Sequence, residues 1–147
     1  DEQSSENKLL VYIFLDAIQE QSNQFYEPYY TIAPTVAYYS TYVSNIKDNG
    51  ANIEVTFFSL PYIGPHDTIG EDKITFQVRR TGEITPISFR HLKSYSLPDN
   101  LITLQKALPP VAEKTKGESY KDSPLVGMEL WDLEKPSIIK GYHPQGH

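Results

Sequence analysis

Two short turn sequences, each flanked by segments in which apolar and polar residues alternate, constrain this chain most. The first is Asn49-Gly50. A two-residue type I′ turn needs positive φ at both positions, and Asn and Gly tolerate that conformation best. With this pair at the tip, three cross-strand pairs share one face of the hairpin: Ile46 with Ile53, Ser44 with Val55, and Tyr42 with Phe57.

The second turn is Thr81-Gly82, and it gives a hairpin with a matching apolar face. The expected partners are Arg80 with Glu83, Val78 with Thr85, Phe76 with Ile87, and Ile74 with Phe89. Pro86 cannot donate a hydrogen bond to the ladder, so a bulge or a sheet edge is expected there. The two hairpins together predict a four-stranded antiparallel meander.

A helix is expected ahead of the strands, from Lys8 to about Phe25. The segment Ser4–Asn7 offers N-caps, and Pro28 ends the helix soon after its last turn. Its apolar stripe repeats at spacings of three and four residues: Leu10, Phe14, Ala17, Ile18, Gln21 and Phe25. A helix with one apolar stripe before a sheet with one apolar face predicts an α+β fold in which the helix packs on the sheet.

The 147 residues are interpreted as a single α+β domain, 1–147, with a core at 8–93 and a C-terminal extension at 94–147. The extension is expected to contain a short helix at Leu97–Leu108 and a brace strand at Leu125–Leu133. The predicted core consists of Leu10, Phe14, Ile18, Ile46, Ile53, Val55, Phe57, Ile74, Phe76, Val78, Ile87 and Phe89.

The best candidate site is the loop that begins Gly64-Pro65-His66-Asp67. In a meander this loop lies at the sheet end where the fourth strand finishes, and the register sets Asp72 opposite His91. The candidate binding residues are therefore His66, Asp67, Asp72 and His91, with Tyr38 from the start of the first strand. They could hold a zinc-like ion or form a His-Asp acid–base pair. The alternative is structural: a turn shaped by proline and an ordinary cross-strand pair.

Tyrosine is unusually frequent, with eleven in the chain and a dense group within 26–42. A tyrosine can bury its ring and keep its hydroxyl in water. The group indicates either a half-covered sheet face or an aromatic surface that binds a ligand.

Composition excludes several classes of function. The net charge of −6 argues against a nucleic-acid partner, and the absence of cysteine excludes disulfides, thiolate metal sites and cysteine nucleophiles. No segment is long and apolar enough to cross a membrane. No phosphate loop, dinucleotide fingerprint or serine-hydrolase elbow is present, so no cofactor is expected. The polar start at Asp1 is typical of an exported domain after signal removal, although a trimmed recombinant chain would look identical.

Three short motifs resemble a known family: Gly64-Pro65-His66, Ile74-Thr75-Phe76 and Phe89-Arg90-His91. With the order of helix and strands, they resemble domain-of-unknown-function family 3888, small exported proteins of spore-forming Gram-positive bacteria, over residues of about 8 to 93. The resemblance implies export and an α+β fold, and it brings no known activity.

The favoured hypothesis for function is a secreted or cell-envelope-associated, non-enzymatic module that binds a protein or a cell-envelope component. The alternative is a metal-dependent or His-Asp hydrolase centred on the Gly64–Asp67 loop and His91.

Overall fold

The computed structural model describes residues 2–113. Within them one helix precedes six strands, with two short 3₁₀ helices at Tyr38–Ser40 and Asp99–Leu104. The elements are α1 (Ser5–Tyr26), β1 (Thr41–Asp48), β2 (Asn52–Ser59), β3 (Tyr62–Ile63), β4 (Asp67–Thr68), β5 (Gly70–Arg79) and β6 (Ile84–Ser94).

The predicted α+β architecture is confirmed. The main sheet is antiparallel, with strand order β1-β2-β5-β6, and α1 precedes it. The loop between β2 and β5 forms the small β3-β4 hairpin, which the sequence reasoning did not foresee. In the C-terminal extension, the expected helix at 97–108 is reduced to the 3₁₀ helix at Asp99–Leu104, and the brace strand at 125–133 lies outside the described residues.

Helix α1 begins three residues earlier than predicted because Ser4 caps it. The Ser4 hydroxyl accepts a hydrogen bond from the Asn7 amide at 3.1 Å, which satisfies one of the free donors of the first turn. The face buried against the sheet is broader than the predicted stripe, because it also includes Val11, Ser22 and Tyr26. Leu10 and Ala17 are only partly buried at its margin.

The first hairpin turns one residue later than predicted, at Gly50-Ala51. The Asn49 amide donates to the Asn52 carbonyl at 3.1 Å, and the Asn49 side chain accepts from the Asn52 amide at 2.9 Å. The Asn49 side chain thus bonds to the backbone beside the turn, and Asn49 itself lies outside the two-residue tip. Gly50 has the expected positive φ, +93°.

Because of the later turn and a bulge in β1, the observed register of this hairpin differs from the predicted one. Ile46 pairs with Val55, and beyond Ser44 the pairing shifts by one. Val43 then lies opposite Phe57 in the main core, while Tyr42 lies opposite Phe58. The extra residue reverses the faces because side chains alternate along a strand.

The second hairpin has a three-residue loop, closed by the Arg79 amide donating to the Glu83 carbonyl at 2.9 Å. Gly82 has the expected positive φ, +92°. The predicted pairing of Ile74 with Phe89 is confirmed, and a bulge sets Phe76 opposite Pro86. This bulge confirms the expectation of a bulge or a sheet edge at Pro86.

Most of the predicted core is buried, and the aromatic side chains Phe14, Phe57 and Phe76 meet at its centre, with ring centroids 5.1–6.0 Å apart. Three predicted core residues are instead exposed, and they are Ile46, Ile53 and Ile87. The first two lie near the tip of the β1-β2 hairpin, and Ile87 is the extra residue of the β6 bulge. They are therefore removed from the covered part of the sheet.

Phe76→Ala should lower the free energy of unfolding by about 3–5 kcal/mol, because a ring that is 1% exposed would leave a cavity between α1 and the sheet. Ile53→Ala, on a side chain that is 41% exposed, should cost less than about 1 kcal/mol. Urea unfolding of both variants measures the difference, and similar losses would contradict the assigned core.

Candidate functional site

The predicted pairing of Asp72 with His91 is confirmed, and the pair is buried between α1 and the sheet. The two residues are direct partners on β5 and β6. His91 Nδ1 lies 2.7 Å from Asp72 Oδ1, and the residues are 2% and 1% exposed. The imidazole also packs against the ring of Phe25 on α1, with centroids 5.1 Å apart.

Two residues that the sequence reasoning missed complete this buried network. Tyr26, the last residue of α1, places its hydroxyl 2.9 Å from Asp72 Oδ2 and 3.1 Å from His91 Nδ1. Ser94, the last residue of β6, places its Oγ 2.6 Å from His91 Nε2. We call Tyr26, Asp72, His91 and Ser94 the polar network.

The direction of the hydrogen bonds follows from the chemistry of the groups. An ionised Asp72 carboxylate only accepts, so Tyr26 donates its hydroxyl proton and His91 donates from Nδ1. In a neutral imidazole Nε2 is then the acceptor, and the Ser94 hydroxyl donates to it. The network therefore runs from a half-buried serine through a histidine to a buried carboxylate.

Burial is the main electrostatic influence on the network. It raises the pKa of Asp72, and the neighbouring His91 and Tyr26 offset part of this increase. Burial and the charge of Asp72 raise the pKa of Tyr26 well above its ordinary value. The same two causes raise the pKa of Tyr30 to about 12.

Gly70 leaves the space that the Tyr26 hydroxyl and the His91 ring occupy. This residue pairs with Ser94 across the ladder. A Cβ at this position would lie 2.3 Å from the Tyr26 hydroxyl oxygen, 2.7 Å from His91 Cε1 and 3.2 Å from the Lys93 carbonyl oxygen. Any larger residue would force the helix end or the imidazole to move.

The opposite face of the same sheet end buries a second acid, Glu71. Its carboxylate accepts a hydrogen bond from the Tyr95 hydroxyl, and the Lys93 ammonium lies 4.7 Å from the centre of the Tyr95 ring. Burial raises the pKa of Glu71, while Tyr95 and Lys93 act against this increase. Glu71 and Asp72 thus lie on opposite faces of β5. Glu71 bonds to Tyr95, and Asp72 bonds to His91.

His66 belongs to an exposed aromatic group, separate from the polar network. The Tyr39 hydroxyl lies 3.1 Å from His66 Nδ1 and 3.0 Å from the Tyr62 hydroxyl. The hydrogen bond to Tyr62 raises the pKa of Tyr39 to about 12. His66 also has a φ of +74°, an uncommon conformation for a residue with a Cβ.

The expected convergence of the candidate residues is therefore corrected. Asp72 and His91 meet, whereas His66 and Tyr38 lie in the aromatic group, because the β3-β4 hairpin folds the loop back on itself. Asp67 lies half-buried on β4 opposite Ile63, and no hydrogen bond among residues 2–113 joins it to either group. Within that range no three histidine or acidic side chains are arranged to share a metal ion.

A family model described as a protein of unknown function, DUF3888, matches residues 7–93. The chain belongs to the DUF3888 family. The matched segment contains Tyr26, His66, Asp72 and His91, and it ends one residue before Ser94. No curated protein and no solved structure matches the chain.

In this DUF3888 chain, the sequence contains evidence for one of the two missed residues, Tyr26, but not for the other, Ser94. Tyr26 follows Ser22 by four residues and Ile18 by eight, so helical spacing places it on the buried face. Ser94 has no such signal. Three residues after His91 on a regular strand, its side chain would point away from the imidazole. A bulge at Leu92, where Asp72 pairs with His91 but Glu71 pairs with Lys93, changes this alternation and brings the two together.

Gly70→Ala should destabilise the protein by about 1–3 kcal/mol because the added methyl group overlaps the polar network. Tyr26→Phe removes one of the overlapping atoms, so the double variant should be more stable than the sum of the single losses implies, by at least about 0.5 kcal/mol. Thermal and urea unfolding of the three variants complete the cycle. Strict additivity would contradict the close approach.

The raised pKa values of Asp72 and Glu71 predict a loss of stability with rising pH. Each folded-state pKa lies above its ordinary value, 3.8 for Asp72 and 4.5 for Glu71. Their contribution is therefore fully present below those values and is lost as pH rises through the folded ones. Glu71→Gln should remove part of this loss in urea unfolding between about pH 3.5 and 7. The exposed control Glu20→Gln should leave the dependence unchanged, and an unchanged Glu71→Gln profile would oppose the assignment.

Proposed function

We propose that this protein is a binding module that recognises a partner protein through a row of exposed aromatic rings. The row, called the tyrosine ladder here, consists of Tyr12, Tyr38, Tyr39, Tyr62 and His66. Successive ring centroids lie 6.0, 5.2, 6.4 and 4.6 Å apart. The single observation that carries the proposal is the continuity of this ladder from the middle of α1 to the Gly-Pro-His loop.

The ladder borders a groove of about 240 Å³ between the first half of α1 and the start of β1. Tyr12, Tyr38 and Tyr39 line it and are 55%, 57% and 48% exposed. Large aromatic groups left in water in this way are more typical of a recognition surface than of ordinary surface residues. Leu9 and Ile13, 56% and 58% exposed, add apolar area on the same helix.

Tyrosine is suited to this task because its ring supplies contact area with few rotatable bonds, and its hydroxyl supplies a hydrogen bond. Hydrogen bonds hold part of the ladder in place. The Tyr39 hydroxyl is bonded to both the Tyr62 hydroxyl and His66 Nδ1, and the Tyr42 hydroxyl donates to the Tyr39 carbonyl at 3.3 Å. A partner would therefore pay little ordering cost on this side of the interface.

The ring orientations favour an extended, proline-rich segment of the partner. Tyr12 and Tyr38 are inclined by 80°, and Tyr38 and Tyr39 by 83°, so ring edges and ring faces alternate along the border of the groove. An aromatic-lined groove of this kind accepts a polyproline II helix, which needs little further ordering on binding. A flat sugar-binding platform would instead need ring faces aligned with one another.

We further propose that binding takes place outside the cell or at its envelope, as the resemblance to exported proteins led us to expect. The described helix is not long and apolar enough to span a membrane. Detection of the protein in the culture supernatant or cell-wall fraction of its source organism tests the location.

The structure changes which residues the hydrolase alternative can use. The Gly64–Asp67 loop is separate from His91, and residues 2–113 contain no group arranged to hold a metal. What supports the alternative is the polar network, in which His91 lies 2.7 Å from Asp72.

Binding of a Pro-x-x-Pro peptide to the purified chain, measured by calorimetry and by NMR shifts of the tyrosine rings, tests the proposal. Tyr38→Ala and Tyr39→Ala should each weaken binding about tenfold or more, because interface tyrosines commonly contribute over 1 kcal/mol. Ile32→Ala is the matched control, since this side chain is 46% exposed and does not line the groove.

Equal affinity of the three variants would show that the ladder is not the binding surface. Binding of soluble cell-wall glycan fragments, with no response to the peptide, would overturn the choice of a protein partner. Circular dichroism of each variant confirms that the fold is retained.

A further inference from the structure

The polar network contains the hydrogen-bond connectivity of an activated serine nucleophile. Ser94 Oγ lies 2.6 Å from His91 Nε2, and His91 Nδ1 lies 2.7 Å from Asp72 Oδ1. The two nitrogens are used in the order that general-base catalysis needs, with the carboxylate on Nδ1 and the hydroxyl on Nε2.

We propose that Ser94 is a nucleophile toward acyl esters, with His91 as its general base and Asp72 as the positioning residue. The site is distinct from the tyrosine ladder, so this inference does not depend on the proposed binding function. It replaces the expected His66–His91 centre with one in which all three residues lie at one end of β5 and β6.

The burial pattern supports this assignment. Asp72 and His91 are almost completely buried, so their geometry is fixed by packing against Phe25 and by the hydrogen bonds of Tyr26. Ser94 is half-buried and ends the strand, and it is the one residue of the polar network that is not almost completely buried. A rigid base and a partly accessible hydroxyl are what nucleophilic attack requires.

The reaction would proceed in two steps. Ser94 Oγ attacks the ester carbonyl while its proton passes to His91 Nε2, and the proton then leaves with the alcohol as the C–O bond breaks. Water, deprotonated by His91, attacks the acyl-serine and releases the carboxylic acid and the free Ser94. Asp72 keeps the proton on Nδ1 throughout, which leaves Nε2 free to accept.

A fluorophosphonate probe tests the nucleophile directly on the full chain. Attack by Ser94 forms the Oγ–P bond and releases fluoride, so the protein gains the mass of the phosphonyl group at one residue. Peptide mapping should place the label at Ser94. Unlabelled wild-type protein would overturn the proposal without any variant.

Three variants and one control separate the roles. Ser94→Ala should lose the label, and His91→Gln should slow labelling by about 100-fold. Asp72→Asn should slow labelling by about tenfold or more and change its pH profile, because the asparagine permits the wrong tautomer. Ser88→Ala, at another half-buried serine of β6, should label at the wild-type rate.

Labelling spread over several serines would overturn the proposal. So would wild-type rates in folded His91→Gln and Asp72→Asn proteins, with circular dichroism as the check on folding. Labelling of Ser94 and binding of the Pro-x-x-Pro peptide are separate measurements on the same wild-type chain, so failure of the binding function and failure of the nucleophile are distinguishable.

Discussion

The structure depends on the burial of one carboxylate. Asp72 is 1% exposed, and a buried charge is strongly unfavourable unless hydrogen-bonded partners surround it. Its direct partners come from two other parts of the chain, His91 on the neighbouring strand β6 and Tyr26 at the end of α1, and Ser94, also on β6, holds the imidazole from its other nitrogen. The same group therefore links the register of β5 and β6 to the position of the helix end, and it requires a residue as small as Gly70 beside it.

The apolar core and this polar network divide the interior between them. Phe14, Phe57 and Phe76 fill the centre beneath α1, while Phe25 stacks on Phe89 with centroids 4.8 Å apart and borders the imidazole. Apolar packing is not directional, so it is tolerant of small shifts along the sheet. Hydrogen bonds of 2.6–2.9 Å do not tolerate such shifts. The polar network therefore sets the precise alignment of β5, β6 and the end of α1.

The tyrosines of the chain serve two different purposes. Tyr26 and Tyr30 are buried beneath the helix end, whereas Tyr12, Tyr38 and Tyr39 remain in water beside a groove. The surface that we propose for binding and the serine that we propose as a nucleophile thus lie at separate places in one fold. In this arrangement, recognition of a partner and chemistry on an ester could be altered independently.

The sequence by itself determined the helix, the four long strands and the pairing of Asp72 with His91, because periodicity and turn residues act over short distances. Pro86 also indicated the bulge beside it, whereas the tertiary structure decided the bulges at Ser44 and Leu92, which depend on how each strand twists against its neighbour. The tertiary structure also brought Ser94 to His91 and moved His66 away. A bulge or a strand end changes the direction of a side chain without any change in residue type, so periodicity alone could not reveal these contacts.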